Sequence, residues 1–556
     1  MARVVNSRVR LLLFCIVLAF GVLLARAGWV ATVRASSLSK LARAQTKVTV
    51  ELPGGRGTIF DAMGTPLALG EQATTVFADP RQISRPRAAA IVAGRILHVS
   101  ASSLYPRLAD RSHGFVYVER KAPPALAARL ARRHLAGLFF RPEEKRTYPQ
   151  RAVAAPVLGY AGVDNKGLAG LELELDRQLT GTPGSETIVR DPFGRAIDIQ
   201  HVVPATGGKS VFLTLDHTIQ ANAEQVLRET VAKWGAKSAT AVVLDPRTGN
   251  VLALAEAPGY DANNFPRAAQ RGLQRNHAVT DVYEPGSVFK VVTIAGALSD
   301  GLVTPQTRFN LPYSIQVADR IVHDAEPRGT ETMSVAQILQ RSSNVGAITI
   351  AKLLGQQRLL HWINRFGFGR PTGIDFPGES AGLLPSHWWG STIGNVPIGQ
   401  GVSVTAVQLA SVYAALANGG LWQQPHLVDH VQGERPAPLA TRRIVSKKVD
   451  RELLTMLKGV VSDNGTAAAA AIPGYTVAGK TGTAQKPSPR GGYAPGKYSA
   501  TFVGIVPASA PRLVILVTVD EPTKAIFGGV VSAPAFAQIA EFDLRYLEVP
   551  PDLRRR

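Results

Sequence analysis

Residues Gly474–Gln485 read GYTVAGKTGTAQ, and this stretch decides between two unrelated folds. Its first eight residues fit G-x-x-x-x-G-K-[ST], the phosphate-binding loop, which needs a buried strand before it and a helix after it. An alanine tract closed by Pro473 precedes the pattern and KPSPRGG follows it, so neither flank has the required form. The stretch is therefore predicted to be extended, with Lys480 on a strand.

Further apolar runs predict the rest of a sheet. SATFVGIV from Ser499 and RLVILVTV from Arg512 predict two strands, and residues 239–255 carry two apolar runs around a Pro/Gly turn, which predicts a hairpin. The segment between, from about Val288 to Leu416, has a mainly helical pattern. A sheet whose parts are separated by a helical block indicates an α+β fold.

The pattern also predicts helices and a domain boundary. Asp216 is a suitable N-cap for a helix over His217–Trp234, and a final helix is predicted near Pro534–Tyr546. The Pro/Gly-rich turn at residues 204–209 predicts a boundary, so that residues 34–207 form a stalk and a first domain and residues 208–556 form a second. The stalk is predicted to be helical over Ala35–Val50.

The N-terminus predicts a membrane anchor. Residues 11–33 are apolar except for Arg26, which is about the length of one membrane-spanning helix. Arginines at positions 3, 8 and 10 precede it without an acid, so residues 1–10 are expected in the cytosol and the rest of the chain outside. The alternative is a signal peptide cleaved near Ala25–Ala27, which fits less well because apolar character continues beyond that site.

Composition limits the other function classes. Cys15 is the only cysteine, which excludes an internal disulfide and a cysteine metal cluster. The net charge of +21 comes from scattered arginines without interleaved aromatic residues, a pattern that does not favour nucleic acid as the partner. Anionic lipid or cell-wall polymer suits an exported protein better, and an arginine-rich proteome bias explains the charge equally well. An exported domain also meets no nucleotide pool.

A serine and a lysine three residues apart form a candidate reactive pair. Ser287 follows Glu-Pro-Gly and opens an apolar run, so it is predicted at the start of a helix with Lys290 on the same face. A partly neutral Lys290 could accept the hydroxyl proton, and burial or a nearby cation would lower its pKa toward that state. Free N–H groups at the helix start could hold an oxyanion. A second S-x-x-K match, Ser37–Lys40, falls in the predicted stalk and is rejected.

A Ser-x-Asn motif supplies further polar groups, and the sequence offers two. Ser462–Asn464 reads S-D-N but runs into Gly465, which predicts the end of a helix. Ser342–Asn344 lies between two apolar segments of the helical block. The pattern favours Ser342 and Asn344, against the alternative that they only cap a helix.

Three stretches together resemble a known family. EPGSVFK at 284–290, SSNVGA at 342–347 and AGKTGTAQ at 478–485 are similar to the motifs of the class B penicillin-binding proteins, anchored D,D-transpeptidases of bacterial cell-wall synthesis. GRGTIFD at 55–61, RTYP at 146–149 and GLAGLE at 167–172 resemble the family's non-catalytic pedestal. FGFGRPTGIDFPGE and the closing YLEVPP are most similar to the division-specific FtsI type, whereas Ala62, Met63 and His277 depart from the family's usual residues.

The resemblance implies an architecture and a mechanism. It implies one N-terminal transmembrane helix, an elongated pedestal domain, and a transpeptidase domain with an antiparallel sheet flanked by helices plus an all-helical subdomain. Ser287 would attack the penultimate D-Ala carbonyl of a peptidoglycan stem peptide, with Lys290 as the base. Ser342 would relay the proton to the leaving amine, and Asn344 would bind the substrate amide.

The resemblance also implies how the substrate is bound. Lys480, Thr481 and Thr483 would hold the terminal carboxylate, and Gly482 lies with them on the substrate-binding strand. Lys480 would also supply a positive field that keeps Lys290 partly neutral. The N–H groups of Ser287 and Thr483 would form the oxyanion hole, and an amine from a neighbouring stem would resolve the acyl-enzyme.

The implied partners are stem peptides that end in D-Ala-D-Ala, an acceptor amine, a membrane-embedded glycan polymerase of the FtsW type, other divisome proteins, and the lipid bilayer through residues 11–33. The implied location is the bacterial cytoplasmic membrane at the division site, with the catalytic domain outside. No nucleic acid, nucleotide, cofactor or metal is expected, since His277 and His323 lack partners at metal-ligand spacing.

Three alternatives stay open at this point: a D,D-carboxypeptidase, a serine β-lactamase or β-lactam sensor, and a catalytically silent scaffold of the division machinery. The pattern also leaves open whether Trp388 and Trp389 line the substrate cleft or simply pack.

Overall fold

The computed structural model describes residues 2–37, 47–190, 196–270 and 272–553. The chain divides into two compact units, one of Met1–Gly55 with Gly181–Gly207 and the other of Arg56–Thr180 with Gly208–Arg556. Residues 38–46 of the predicted helical stalk lie outside the described residues, as does Lys40 of the rejected Ser-Lys pair. The prediction is wrong at the end of the stalk, because residues 47–50 belong to a strand.

The strands of the described residues follow in chain order. They are β1 (Lys47–Leu52), β2 (Ile59–Phe60), β3 (Pro66–Ala78), β4 (Val116–Ala122), β5 (Leu138–Thr147), β6 (Tyr160–Ala161), β7 (Gly167–Ala169), β8 (Gly184–Arg190), β9 (Ala196–Val203), β10 (Val211–Leu213), β11 (Ser238–Leu244), β12 (Val251–Ala257), β13 (Arg308–Leu311), β14 (Ser314–Val317), β15 (Arg320–His323), β16 (Glu331–Ser334), β17 (Leu421–Gln423), β18 (Val428–Val431), β19 (Thr441–Arg443), β20 (Ala478–Pro487), β21 (Tyr493–Val506) and β22 (Leu513–Asp520).

The α-helices are numbered in the same way. They are α1 (Ala2–Thr32), α2 (Pro86–Leu97), α3 (Ala101–Ala109), α4 (Pro124–Ala131), α5 (Ala155–Leu158), α6 (Gly170–Glu174), α7 (Asp176–Leu179), α8 (His217–Trp234), α9 (Phe265–Gln270), α10 (His277–Thr280), α11 (Lys290–Ser299), α12 (Val335–Gln340), α13 (Asn344–Leu354), α14 (Gln356–Phe366), α15 (Thr392–Asn395), α16 (Ala406–Ala417), α17 (Lys447–Val460), α18 (Gly528–Val531) and α19 (Ala533–Tyr546).

The first unit contains α1 and a three-stranded antiparallel sheet in the order β1-β8-β9. Within α1, Ser7–Thr32 is the one helix of the described residues that is long and apolar enough to cross a membrane. The side chains of this helix are exposed, and its uncharged run Leu11–Leu24 does not pack into a core among the described residues. The predicted N-terminal apolar helix is confirmed.

The second unit is built on a five-stranded antiparallel sheet in the order β12-β11-β22-β21-β20. Alternate side chains enter two cores: Val243 and Phe502 pack with Phe536 of α19, whereas Val242 and Val503 belong to the core of the helical block. Helices cover both faces, which explains why these strands read as continuous apolar runs. The predicted α+β fold, the hairpin and the strand position of Lys480 are all confirmed.

Two helices that pack on this sheet also match the prediction. The α8 helix spans His217–Trp234, and the Asp216 carboxylate accepts the N–H groups of Thr218 and Ile219 at its start. The α19 helix packs beside it on the sheet. The helical block differs from the prediction, because two small two-stranded sheets, β13–β16 and the hairpin β14–β15, interrupt it. Each strand has only four residues, too short for its alternation to stand out in a helical background.

The segment before the predicted boundary shares a sheet with the segment after it. The strand β2 pairs in parallel with β10, with Ile59 opposite Val211, and β3, β4, β5 and β18 extend the same sheet. Residues 56–180 therefore fold within the same compact unit as the five-stranded sheet. The assignment of residues 34–207 to a separate functional domain stays a prediction.

The three pedestal stretches of the sequence meet in one buried ion network. Glu172 is fully buried, and its two carboxylate oxygens accept from Arg56 Nε at 2.7 Å and Arg146 Nε at 2.6 Å. Arg56 also contacts Asp176 at 2.7 Å, and Tyr148 Oη donates to Glu172 at 3.2 Å. One carboxylate thus holds the segments GRGT, RTYP and GLAGLE together.

Replacing Glu172 by glutamine is expected to lower the free energy of unfolding by about 3–5 kcal/mol, because it leaves the buried Arg146 guanidinium without a counter-charge and leaves Arg56 with Asp176 alone. The urea midpoint of the detergent-solubilised full chain measures the effect. The control is Glu434→Gln, which removes an exposed ion pair with Lys209 and should cost less than about 1 kcal/mol. Equal midpoints for the two variants would contradict the role given to the network.

Candidate active site

Ser287 lies in a tight turn that only glycine permits. The 3-10 turn Gly286–Phe289 leads directly into α11, and the Gly286 N–H donates to Gly399 O at 3.0 Å. Gly286 has a φ of +58°, and a Cβ there would lie 2.9 Å from Thr483 O. A Cβ on Gly482 would in turn lie 2.6 Å from Pro285 O. The serine turn and β20 therefore approach each other backbone to backbone.

Two buried lysines flank one hydroxyl. Lys290 on α11 and Lys480 on β20 are both fully buried. Their Nζ atoms lie 3.2 Å and 2.9 Å from Ser342 Oγ, respectively. Lys290 Nζ also donates to Ser342 O at 2.5 Å and to Asn344 Oδ1 at 2.7 Å. The structure thus brings together four of the predicted site residues, which are 190 positions apart at the extremes of the sequence, 290 and 480.

Burial sets the charge of these lysines. Burial lowers the pKa of Lys290 to about 7, against the opposing effect of the Asp324 carboxylate. Burial also lowers the pKa of Lys480 well below its usual value, and the charge of Lys290 lowers it further. Burial, one of the two causes that the sequence analysis offered, is thus the main cause at Lys290, whereas repulsion between the lysines is evident at Lys480. A neutral amine is available at this site near pH 7.

Ser342 is held between helices by groups that the sequence analysis did not find. It has a left-handed φ of +60°, and Ser343, not Ser342, is the N-cap of α13. Asp324 accepts the N–H groups of Asn344 at 2.6 Å and Val345 at 3.0 Å, and it pairs with Arg328 at 2.6 Å. The capping alternative therefore applies to the neighbour, and the Ser342 hydroxyl is left for the two lysines.

The Ser287 hydroxyl makes no hydrogen bond to either lysine within the described part of the chain. Its side chain is half-buried. Lys290 is directed instead to Ser342 and Asn344. Contacts between a nucleophile and its base are often long in substrate-free sites and shorten when substrate binds. The predicted proton transfer from Ser287 to Lys290 therefore needs a closer approach of the two groups than the described contacts give, although the residues lie one helical turn apart.

The strand that the sequence predicts to bind substrate, β20, is an edge strand. Among the described strands β20 pairs with β21 alone, so its other edge can accept an extended peptide. The Thr481 hydroxyl lies 2.8 Å from Thr466 Oγ1, and the Thr483 hydroxyl accepts the Gly528 N–H at 3.2 Å. Thr483 is half-buried, so its hydroxyl and N–H lie beside the serine turn at the border of solvent.

Two comparisons by sequence decide the family. Residues 239–541 match the family described as "Penicillin binding protein transpeptidase domain", and residues 51–213 match "Penicillin-binding Protein dimerisation domain". The chain belongs to the class B penicillin-binding proteins. The peptidoglycan D,D-transpeptidase FtsI of Escherichia coli K12 is 32% identical over 561 residues, which cover 99% of this chain and 94% of FtsI. The probable peptidoglycan D,D-transpeptidase PenA of Neisseria meningitidis serogroup A is 34% identical over 98% of this chain and 94% of PenA.

Solved structures agree with this assignment. Penicillin-binding protein 3 of Mycobacterium tuberculosis, in complex with aztreonam, is 31% identical with a TM-score of 0.72, over 91% of this chain and 98% of that one. These matches confirm the family resemblance noted in the sequence. They also confirm the α+β architecture with a single N-terminal apolar helix among the described residues.

The rival Ser-x-Asn candidate of this penicillin-binding protein lies apart from the lysines. Ser462 is exposed after α17, and its hydroxyl donates to Gly459 O at 2.7 Å. Its remaining hydrogen bond in the described residues is from Gln340 Nε2 at 3.3 Å. The Ser462–Asn464 stretch, although it reads S-D-N, therefore lies at the end of a helix, as the glycine that follows it indicates.

One group of side chains could hold a cation by proximity. The ligand atoms of Asp61, Asp216 and His217 lie within 4.8 Å of one another. Asp216 is already the N-cap of α8, and Asp61 accepts His217 Nδ1 at 2.5 Å and three backbone N–H groups. These contacts account for the cluster as a helix-start network. The expectation that the penicillin-binding protein uses no metal stays a prediction.

Proposed function

We propose that this protein is a peptidoglycan D,D-transpeptidase that cross-links stem peptides through an acyl-enzyme on Ser287. One observation carries the proposal: the buried lysines Lys290 and Lys480 meet at the half-buried hydroxyl of Ser342, beside the serine turn and the free edge of β20. A serine nucleophile, a neutral amine and a peptide-binding edge are the parts that acyl transfer from a peptide requires.

The first half of the reaction transfers an acyl group to the enzyme. Ser287 Oγ attacks the penultimate D-Ala carbonyl, and its proton passes to the neutral Lys290 Nζ. When the tetrahedral intermediate collapses, the proton passes through the Ser342 hydroxyl to the amine of the terminal D-Ala, which leaves. The supporting geometry is the row Lys290 Nζ, Ser342 Oγ, Lys480 Nζ, with contacts of 3.2 and 2.9 Å.

Substrate binding uses the neighbouring strand. Lys480, Thr481 and Thr483 hold the terminal carboxylate, and Gly482 allows the serine turn to pack against the strand. The N–H groups of Ser287 and Thr483 bind the oxyanion, and the close approach of Gly286 to the Thr483 backbone supports their convergence. Asn344 Oδ1, held by Lys290, lies where it can accept from the substrate amide.

The second half forms the cross-link. The amine of a neighbouring stem attacks the acyl-enzyme carbonyl, and the proton that this amine loses passes through Lys290 to Ser287 Oγ. Ser287 Oγ is released, and a new amide joins the two stems. Water in place of the amine would give a carboxypeptidase, so the acceptor decides between the two activities.

The proposal extends to domains and location. Residues 11–33 anchor the protein in the cytoplasmic membrane, residues 1–10 lie in the cytosol, residues 34–207 form the pedestal and residues 208–556 catalyse. The apolar helix and the preceding arginines support this topology. Similarity to FtsI supports action at the division site, with an FtsW-type polymerase and other divisome proteins as partners. A C-terminal reporter that is active only outside the cytosol tests the topology, and an inactive fusion would contradict it.

The product of the purified full chain tests the activity. Incubation with glycan strands that carry pentapeptide stems should release D-Ala and give cross-linked dimers, which mass spectrometry of the digested glycan detects. A β-lactam added beforehand should abolish both products. Release of D-Ala without dimers would support a carboxypeptidase instead, and the absence of both products with a labelled penicillin-reactive serine would support a silent scaffold or sensor.

A further inference from the structure

A cavity of about 470 Å³ lies in the second unit. Its lining is formed by Pro385, Ser386, His387, Trp389, Thr392, Asn395, Val396 and Gly401. None of these residues is among the motif residues of the proposed reaction. Trp389, whose role the sequence left open, belongs to this cavity.

The cavity is attached to the serine turn through two hydrogen bonds. The Gly401 N–H donates to Glu284 Oε1 at 2.8 Å, and Gly399 O accepts the Gly286 N–H at 3.0 Å. Glu284 is three residues before Ser287, a stretch of chain that spans at most about 11 Å. An extended stem peptide spans about 14 Å between its sugar and the fourth residue, the one that Ser287 attacks. A stem peptide is therefore long enough to extend from the nucleophile to the cavity.

The lining has the chemistry of a neutral polar ligand with an apolar face. The Trp389 side chain is 75% exposed, and the His387 ring stacks near it with centroids 6.3 Å apart. The side-chain amide of Asn395 makes no hydrogen bond within the described residues, so both its donor and its acceptor are available. The lining contains no aspartate, glutamate, lysine or arginine, so it offers no partner to the charged ends of a stem peptide.

We propose that this cavity binds an N-acetylamino sugar of the glycan strand, with the C–H face of the pyranose on the Trp389 indole and its acetamido group on the Asn395 side chain. Large aromatic faces with a few directed polar groups are the usual composition of a small-molecule site. This inference rests on the proposed function, because it assigns a sugar subsite to the same substrate.

Steady-state kinetics of the full-length protein in detergent test the proposal with two donors, a disaccharide pentapeptide and the same pentapeptide without sugar. For Trp389→Ala, the KM of the sugar-bearing donor is expected to rise about five- to tenfold with little change in kcat, because stacking is lost. The KM of the sugar-free donor should not change. Trp389→Phe should restore most of the affinity, and Leu383→Ala, an exposed residue outside the cavity lining, is the matched control.

Direct binding of the peptide-free disaccharide provides the second measurement. Saturation-transfer NMR should detect its sugar protons with wild-type protein and lose them with Trp389→Ala. Equal KM increases for both donors, or no increase for the sugar-bearing donor, would overturn the sugar assignment. An increase confined to the KM of a sugar-free acceptor peptide would also overturn it and would indicate peptide binding instead. Acylation of Ser287 by a β-lactam, measured on the same samples, tests the proposed function separately, since a β-lactam carries no sugar.

Discussion

Replacing Ser287 by alanine is expected to abolish covalent labelling by a fluorescent penicillin. The alanine variant lacks the only atom that can form the ester, whereas the lysines and the strand that would bind the ligand remain. Among the serines that the sequence offers as candidates, only Ser287 lies at the start of a helix and beside the close contact of Gly286 with Thr483. The loss should therefore be complete rather than partial.

Gel fluorescence measures the label, and mass spectrometry of the digested wild-type protein should find the adduct on the peptide that contains Ser287. The matched control is Ser462→Ala, which removes the serine of the S-D-N stretch. That hydroxyl donates to Gly459 O at the end of α17 and accepts from Gln340, and it contacts neither lysine among the described residues, so the control should label like the wild type. A label that survives Ser287→Ala, or an adduct mapped to another serine, would disprove the assignment of the nucleophile.

The lack of a nearby carboxylate among the described residues favours the neutral form of the two lysines. Neither Lys290 nor Lys480 has a carboxylate within ion-pair distance in the described residues, although both are fully buried. The Asp324 carboxylate acts to raise the pKa of Lys290, but its oxygens already accept the N–H groups at the start of α13 and pair with Arg328. The ammonium form of Lys290 is therefore poorly compensated. A buried acid in direct contact would have raised its pKa and removed the base.

The sequence predicted the elements of the site better than their contacts. Lys480 could be placed on a strand because flanking proline and glycine are local signals, and His217–Trp234 could be bounded because an N-cap acts within three residues. Asp324 could not be found in this way. It lies 18 residues before Ser342 and reaches α13 only after the hairpin β14–β15 has folded back, and no local pattern encodes that return.

The ion network around Glu172 illustrates the same limit. Its residues were noted as three separate stretches, GRGT, RTYP and GLAGLE, through resemblance alone. Their meeting at one carboxylate joins positions 56 and 172, and only long-range packing brings them together. Sequence reasoning identifies which residues are unusual, whereas the physical reason for each becomes evident only from its partner.

Replacing Lys290 by methionine is expected to reduce the rate of acylation by a β-lactam by about 10²–10⁴-fold, because a positioned general base contributes about that factor. Methionine keeps the length and the apolar stem of the side chain. The change removes a buried, poorly compensated amine, so the urea midpoint should not fall, and loss of rate without loss of stability distinguishes a chemical role from a structural one. Lys486→Met, which removes an ion pair with Asp520 and Glu521, is the control and should keep the wild-type rate.

The pH dependence of the wild-type acylation rate tests the same role. Only the neutral amine can accept the Ser287 proton, and burial lowers the pKa of Lys290 to about 7. The rate should therefore rise as pH increases through about 7 and level off above it, and this rise should vanish in Lys290→Met. Since Lys290 and Lys480 interact, the observed midpoint belongs to the pair. Quenched-flow acylation from about pH 5 to 9 measures the profile. A rate that falls with rising pH, or an unchanged profile in Lys290→Met, would exclude Lys290 as the base.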